Sequence, residues 1–209
     1  MKKRQLIKSI TGLSLLVALE VVLSIVSNFM PGVVNFNLAL APIVIGAVLY
    51  GPIGGLILGI INGVITLIAP GTQVFLGFNA FATILLCMLK TGLAGLVAGL
   101  IFKYLGKKNF KVSIVLSGLS VPIINTGLFI IGVILFFLPI YGEGQQAVAT
   151  LFSTVITINF LIEFLISALL SPAIIHIIAT INKVNINKSK NSDNTDNKKD
   201  IKVKINIEK

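Results

Sequence analysis

Between Ser9 and Phe102 the chain runs for 94 residues with only two charges, Glu20 and Lys90, and both fall inside long apolar runs. A helix needs roughly 20 apolar residues to cross a hydrocarbon core of about 30 Å, so this stretch alone holds several crossings. The chain reads as an all-α integral membrane protein. Its hydrophobic fraction of 56% and mean hydropathy of +1.01 exceed what a soluble domain carries. An ion near the bilayer centre costs about 2.5–3.5 kcal/mol or more, so each charge kept at depth needs a physical reason.

The net charge of +10 would suit a nucleic-acid partner, but its placement argues otherwise. Lys2, Lys3, Arg4 and Lys8 precede the first apolar run, Lys103, Lys107, Lys108 and Lys111 separate the fourth from the fifth, and Lys183 onward follows the last. This is the positive-inside pattern. Pro, Gly and Asn clusters divide the apolar sequence into six expected spans: Ser9–Phe29, Leu38–Tyr50, Pro52–Ala69, Phe78–Phe102, Val112–Leu138 and Thr150–Ile181. Six spans place both termini and all three basic clusters in the cytoplasm, whereas an odd number would strand one outside. The outward loops are then Pro31–Asn37, Pro70–Asn79 and Pro139–Ala149. The second span is short, about 20 Å at 1.5 Å per residue. Residues 1–182 form the expected membrane bundle, and 183–209, rich in Lys, Asn, Asp and Ser, a disordered basic tail near anionic lipid.

Small residues recur every fourth position at Gly51, Gly55, Gly59 and Gly63, again at Thr91, Gly95 and Gly99, and at Ser14 and Ala18 in the first span. Residues four apart share a helix face, and small ones let a second backbone come close. The third- and fourth-span stripes are expected to serve packing within the bundle, while the first-span stripe is free to face another subunit.

Polar residues gather at or outside the expected midplane on five spans: Glu20, Asn62, Lys90, Asn125, and the one-turn pair Asn159 and Glu163. Asn35, Asn37, Gln73 and Asn79 lie above them in the outer loops, with Phe75, Phe78 and Phe81 nearby. Lys90 is most easily buried beside Glu163 or Glu20, and the asparagines supply neutral donors and acceptors. Two readings stand: a Lys–Glu pair that only fixes helix packing, or a polar cavity open to the outside that takes a small ligand with a polar head and an apolar or aromatic body.

Other chemistries lack their residues. The single cysteine, Cys87, is an expected buried thiol, and with the one histidine, His176, it cannot furnish a metal site. No cleavable signal peptide is expected at the first run. There is no nucleotide-cradling G-x-x-x-x-G-K-[ST], no G-x-S-x-G and no H-E-x-x-H. The chain is expected to be no enzyme and to need no cofactor, and any transport must draw on an ion gradient or a partner ATPase.

The segment from Phe36 to Gly59, with Pro42-Ile-Val-Ile-Gly46 and Gly51-Pro52, resembles the second-to-third span of the S components of energy-coupling factor (ECF) vitamin transporters. The resemblance covers about residues 10–181. It implies six spans, an outside-facing vitamin site beneath the loops between spans one and two and between spans three and four, and a subunit that topples in the membrane to release its ligand inside. It also implies partners: a transmembrane coupling subunit with two cytoplasmic ATPases, contacted through the first-span small residues in a bacterial cell membrane. The family usually has Ala at both small positions, where this chain has Ser14 and Ala18; Ser also permits close approach. Lys90, if unpaired, favours an anionic or carbonyl-rich ligand, which makes pantothenate the preferred vitamin. A self-sufficient secondary transporter with Glu20, Lys90 and Glu163 as a proton relay is the main alternative, and a membrane assembly protein a further one.

Overall fold

A computed structural model describes residues 2–29, 37–137, 157–158 and 160–181. Among them are α1 (Lys2–Phe29), α2 (Leu40–Leu67), α3 (Pro70–Phe78), α4 (Ala80–Leu105) and α5 (Phe110–Phe136), with a last helix, α6, over Phe160–Ile181. No strand occurs among the described residues. Contacts divide the chain into Met1–Pro172 and Ala173–Lys209; in the second unit 173–181 are helical. The expected outer segments 31–36 and 139–149 and the tail 183–209 lie outside the described residues.

Five stretches are long and apolar enough to cross a membrane: Leu6–Ser27, Leu40–Leu67, Ala80–Leu105, Phe110–Phe136 and Phe160–Ile181. The expected second and third spans fall together in α2, yet α2 is not one straight rod. Gly51 has φ +78° and ψ −171°, a region only glycine occupies without strain, and Pro52 follows. The chain reverses there. A methyl built on Gly54 would meet the Gly46 carbonyl at 3.1 Å, and one on Gly55 would meet Ala47 Cβ at 2.8 Å. In a continuous helix residues eight apart would be about 12 Å apart. The two arms, Leu40–Tyr50 and Pro52–Leu67, therefore lie antiparallel against each other.

The second arm then packs against α4 through the two expected stripes. A methyl on Gly55 would strike the Gly95 carbonyl, one on Gly59 the Thr91 carbonyl, one on Gly63 the Cys87 carbonyl at 2.7 Å, and one on Gly99 the backbone of Pro52. Each step of four along one helix answers a step of four along the other, so the register is continuous and antiparallel. Backbones this close require the small residues, which serve packing inside the fold. Ser117 Oγ donates to the Ala98 carbonyl at 2.9 Å, both buried, and fixes α5 against α4.

Helix α1 meets the first arm of α2 through Gly12, which lies against the Tyr50 hydroxyl, and Leu16, which reaches Gly46. Its outer side, with Ser14, Leu15, Ala18 and Leu19, is exposed. The outward surface is apolar generally, for example Ile53, Phe81, Leu135 and Leu169, while Glu20, Asn62, Thr91, Ser113, Ser117, Asn125 and Glu163 are buried. Polar groups inside and apolar groups outside are what a lipid solvent selects.

One expectation fails locally. Pro70–Asn79, read as a loop because Pro-Gly ends a helix, contains α3. Pro70 sits in the first turn of α3 after an extended Ala69, where its missing N–H is no loss and its fixed φ starts a helix. The same dipeptide closes one helix and opens the next.

Candidate functional site

The polar residues of the spans meet because the helix registers bring them to one level. The α1–α2 pairings, Gly12 with Tyr50 and Leu16 with Gly46, place Glu20 level with Pro42. The pairing of Gly46 with Leu58 places Pro42 level with Asn62. The Ser117–Ala98 bond places Asn125 level with Lys90. All stand toward the ends of the helices remote from Lys8, Lys103 and Lys111.

Four of these residues form a connected network. The Asn37 backbone N–H donates to Glu163 Oε1 at 3.2 Å, and Asn37 Nδ2 donates to Asn62 Oδ1 at 2.9 Å. Asn37 Oδ1 accepts from the Ala39 N–H at 3.1 Å. The Asn125 side chain hydrogen-bonds Glu163, and Lys90 is the cation that bears on that carboxylate. Asn62 is 0%, Asn125 5% and Glu163 8% exposed, so these bonds form away from water and hold their partners firmly. Asn37, just ahead of α2, thus ties the second arm of α2 to α6.

Lys90 is half-buried and stands over the Phe129 ring, 4.7 Å from its centroid. A cation over an aromatic face gains about 0.5–2 kcal/mol, so the ring and the nearby Glu163 together account for a lysine at this depth. Phe129 in turn meets Phe75 of α3 edge-on at 5.5 Å, and Phe75 meets Phe137 at 5.1 Å. With Ala82, Leu86 and Val133 these rings fix α3 over α4 and α5.

Not every expected residue joins the network. Gln73 is exposed and donates to the Leu67 carbonyl at 2.9 Å, satisfying the C-terminal end of α2. Asn79 accepts from the Ala82 N–H at 3.0 Å and caps α4, while its own N–H closes α3 on Phe75. Phe81 points outward. Asn35 and Asn159 lie outside the described residues. Glu20 shares the level of the network without a hydrogen bond to it: it is 0% exposed, and neither carboxylate oxygen has a hydrogen-bond partner among the described residues.

Two contributors carried weak sequence signals. Ser27 accepts from the Leu38 N–H at 3.3 Å and donates to the Leu23 carbonyl at 2.8 Å, anchoring the start of α2 to α1; it looks like any serine near a helix end. Phe129 lies one turn beyond Asn125, and that spacing of four is the signal that would have found it.

The arrangement offers neutral hydrogen-bonding groups, a buried carboxylate, a cation and an aromatic face on one side of a membrane bundle. It contains no nucleophile–base pair among its described members and suits recognition of a small molecule. No curated protein and no solved structure gives a significant match. A family model described as "ECF transporter, substrate-specific component" matches residues 8–175, which takes in most of α1, all of α2 to α5 and most of α6. The chain belongs to the family of ECF transporter substrate-specific components.

Proposed function

We propose that this chain binds a vitamin or related micronutrient from outside a bacterial cell and delivers it inward with a transmembrane coupling subunit and two ATPases. In this reading the chain crosses the membrane six times, the two arms of α2 counting separately, with both termini and the basic clusters cytoplasmic. The observation that carries the ligand site is the buried network of Asn37, Asn62, Asn125 and Glu163 beside Lys90 and Phe129. Asn35, Asn159, Gln73 and Asn79 are proposed as further ligand contacts. Pantothenate is the preferred vitamin, since its carbonyl groups and carboxylate suit the asparagines and Lys90.

Ser14 and Ala18 are the coupling residues. Both are exposed on the side of α1 opposite Leu16 and Glu20, where small residues let a partner helix approach. Purification from native membranes should bring down the coupling subunit with paired ATPases. Ser14→Leu and Ala18→Leu should abolish uptake and leave ligand binding by the isolated chain intact. Transport by the purified chain alone in liposomes overturns this function, and equal loss of binding in both variants overturns the coupling role.

A further inference from the structure

Two side-chain atoms of the network are buried and have no hydrogen-bond partner among the described residues: Asn62 Nδ2 and Asn125 Oδ1. Buried polar atoms are almost always paired, so atoms left in this state inside a recognition site show what that site is built to read. Their identity as nitrogen and oxygen normally rests on the network around them, and here the network fixes both. Asn37 Oδ1 is committed as an acceptor to the Ala39 N–H, so its Nδ2 is a donor and the Asn62 atom it meets must be the oxygen. That leaves Asn62 Nδ2 as the unpaired donor. Asn125 hydrogen-bonds Glu163 while its oxygen has no partner among the described residues, so its nitrogen turns to Glu163 and its oxygen is the unpaired acceptor. The chain Asn62–Asn37–Glu163–Asn125 therefore ends in one fixed donor and one fixed acceptor.

We propose that the unit read here is a neutral amide-type group, an amide, lactam or ureide, whose carbonyl accepts from Asn62 Nδ2 and whose N–H donates to Asn125 Oδ1. The inference rests on the reading of this network as the substrate site. A carboxylate in that place has no proton for Asn125 Oδ1 and stands against Glu163. A simple cation has no acceptor for Asn62 Nδ2 and adds to the charge of Lys90. An amide satisfies both atoms and adds no charge beside Lys90 and Glu163. An acidic group on the same ligand belongs beside Lys90. Sites that hydrogen-bond a ligand group reject the analogue lacking it far more strongly than apolar pockets reject a changed shape.

The test is calorimetric titration of the full chain in detergent with pantothenate, biotin and riboflavin, which carry an amide, a ureide and an imide, and with nicotinate, which carries none. One amide-type compound is expected to bind. Its N-methylated counterpart, which keeps the carbonyl and loses the N–H, should bind at least tenfold more weakly to the native chain. In Asn125→Ala the parent and methylated ligands should bind within about twofold of each other. The ligand pair on the native chain decides the matter even where the variant does not fold. Equal affinity for the parent and its methylated form, binding of nicotinate alone, or no binding by any amide-type compound each overturns the proposal. If the coupling subunit and ATPases still co-purify in those cases, the substrate class fails and the transporter role survives. Loss of both refutes the underlying reading as well.

Discussion

Gly59 offers the most direct test of how packing sets the site. It faces the Thr91 carbonyl across the α2–α4 contact, and a methyl there would also lie 2.7 Å from Thr91 C and 2.8 Å from Gly92 Cα. Ordinary van der Waals contact begins near 3.4 Å, and the Thr91 carbonyl oxygen lies nearer still than these atoms, so Gly59→Ala forces the helices apart by roughly 1 Å. Backbone lies on both sides, and no flexible side chain can give way. Overpacking of this kind costs about 1–3 kcal/mol, against which the better helix propensity of Ala returns about 1 kcal/mol at most. Gly127 on α5 is the control, because a methyl there meets nothing within 4 Å; Gly127→Ala should be neutral or stabilising. Cys87, buried beside Gly63 in the same contact, provides the assay: its labelling by a thiol-reactive dye on heating reports separation of the helices. Gly59→Ala should expose it at lower temperature and Gly59→Leu at lower temperature still. Ligand affinity should fall too, since Asn62 lies three residues beyond Gly59 and Lys90 immediately before Thr91. Unfolding of Gly59→Ala at the temperature of Gly127→Ala would refute the packing argument.

Three further outcomes follow from the polar residues. Lys90→Met should weaken ligand binding while retaining the fold if Lys90 touches ligand; recovery of both binding and thermal stability in Lys90→Met with Glu163→Gln would show instead that the lysine serves only to balance the carboxylate. Glu20→Leu removes two buried oxygens that have no partner among the described residues and should raise the unfolding temperature, a gain of about 1–3 kcal/mol; a loss would mean that the carboxylate is held by a group in the remaining segments. Ser27→Ala leaves the Leu38 N–H without its acceptor and should cost about 1–3 kcal/mol, read as lower ligand affinity because Asn37 adjoins Leu38; unchanged affinity would sever the link between α1 and the network.

Much of this organisation is legible in the chain because lipid imposes simple rules. The glycines at 55, 59 and 63 and the Thr91, Gly95 and Gly99 series serve the packing expected from their spacing, since only small residues allow contact between backbones, whereas Gly51 of the same series is needed for the positive φ of the turn. Polar residues at depth were equally conspicuous, and Asn62, Lys90, Asn125 and Glu163 do meet. Gln73 and Asn79 were harder, because an exposed amide beside a helix end has the same composition whether it caps that end or binds a ligand. The outcome depends on where α3 begins, and Pro70 signals both a stop and a start. Spacing also gave no access to the orientation of the asparagine amides, which arises from a relay through Ala39, Asn37 and Glu163 that spans 126 residues of sequence.

Under the proposed function the two sides of α1 separate recognition from coupling. Its inner side, through Gly12, Leu16 and Ser27, holds the first arm of α2 and so positions Asn37. Its outer side presents Ser14 and Ala18 among exposed leucines. In lipid an apolar surface gains nothing merely by meeting another apolar surface; attraction comes from close packing and from hydrogen bonds. Ser14 and Ala18 therefore matter by being small, and the bulk of a leucine at either position blocks approach without disturbing the opposite side of the helix. Ser27 differs, because its hydroxyl acts through the Leu38 backbone. Substitutions on the outer side should alter transport at constant affinity, and substitutions on the inner side should alter affinity first. Under the proposed function a single helix carries two roles that can be measured apart, ligand affinity through its inner side and transport through its outer side.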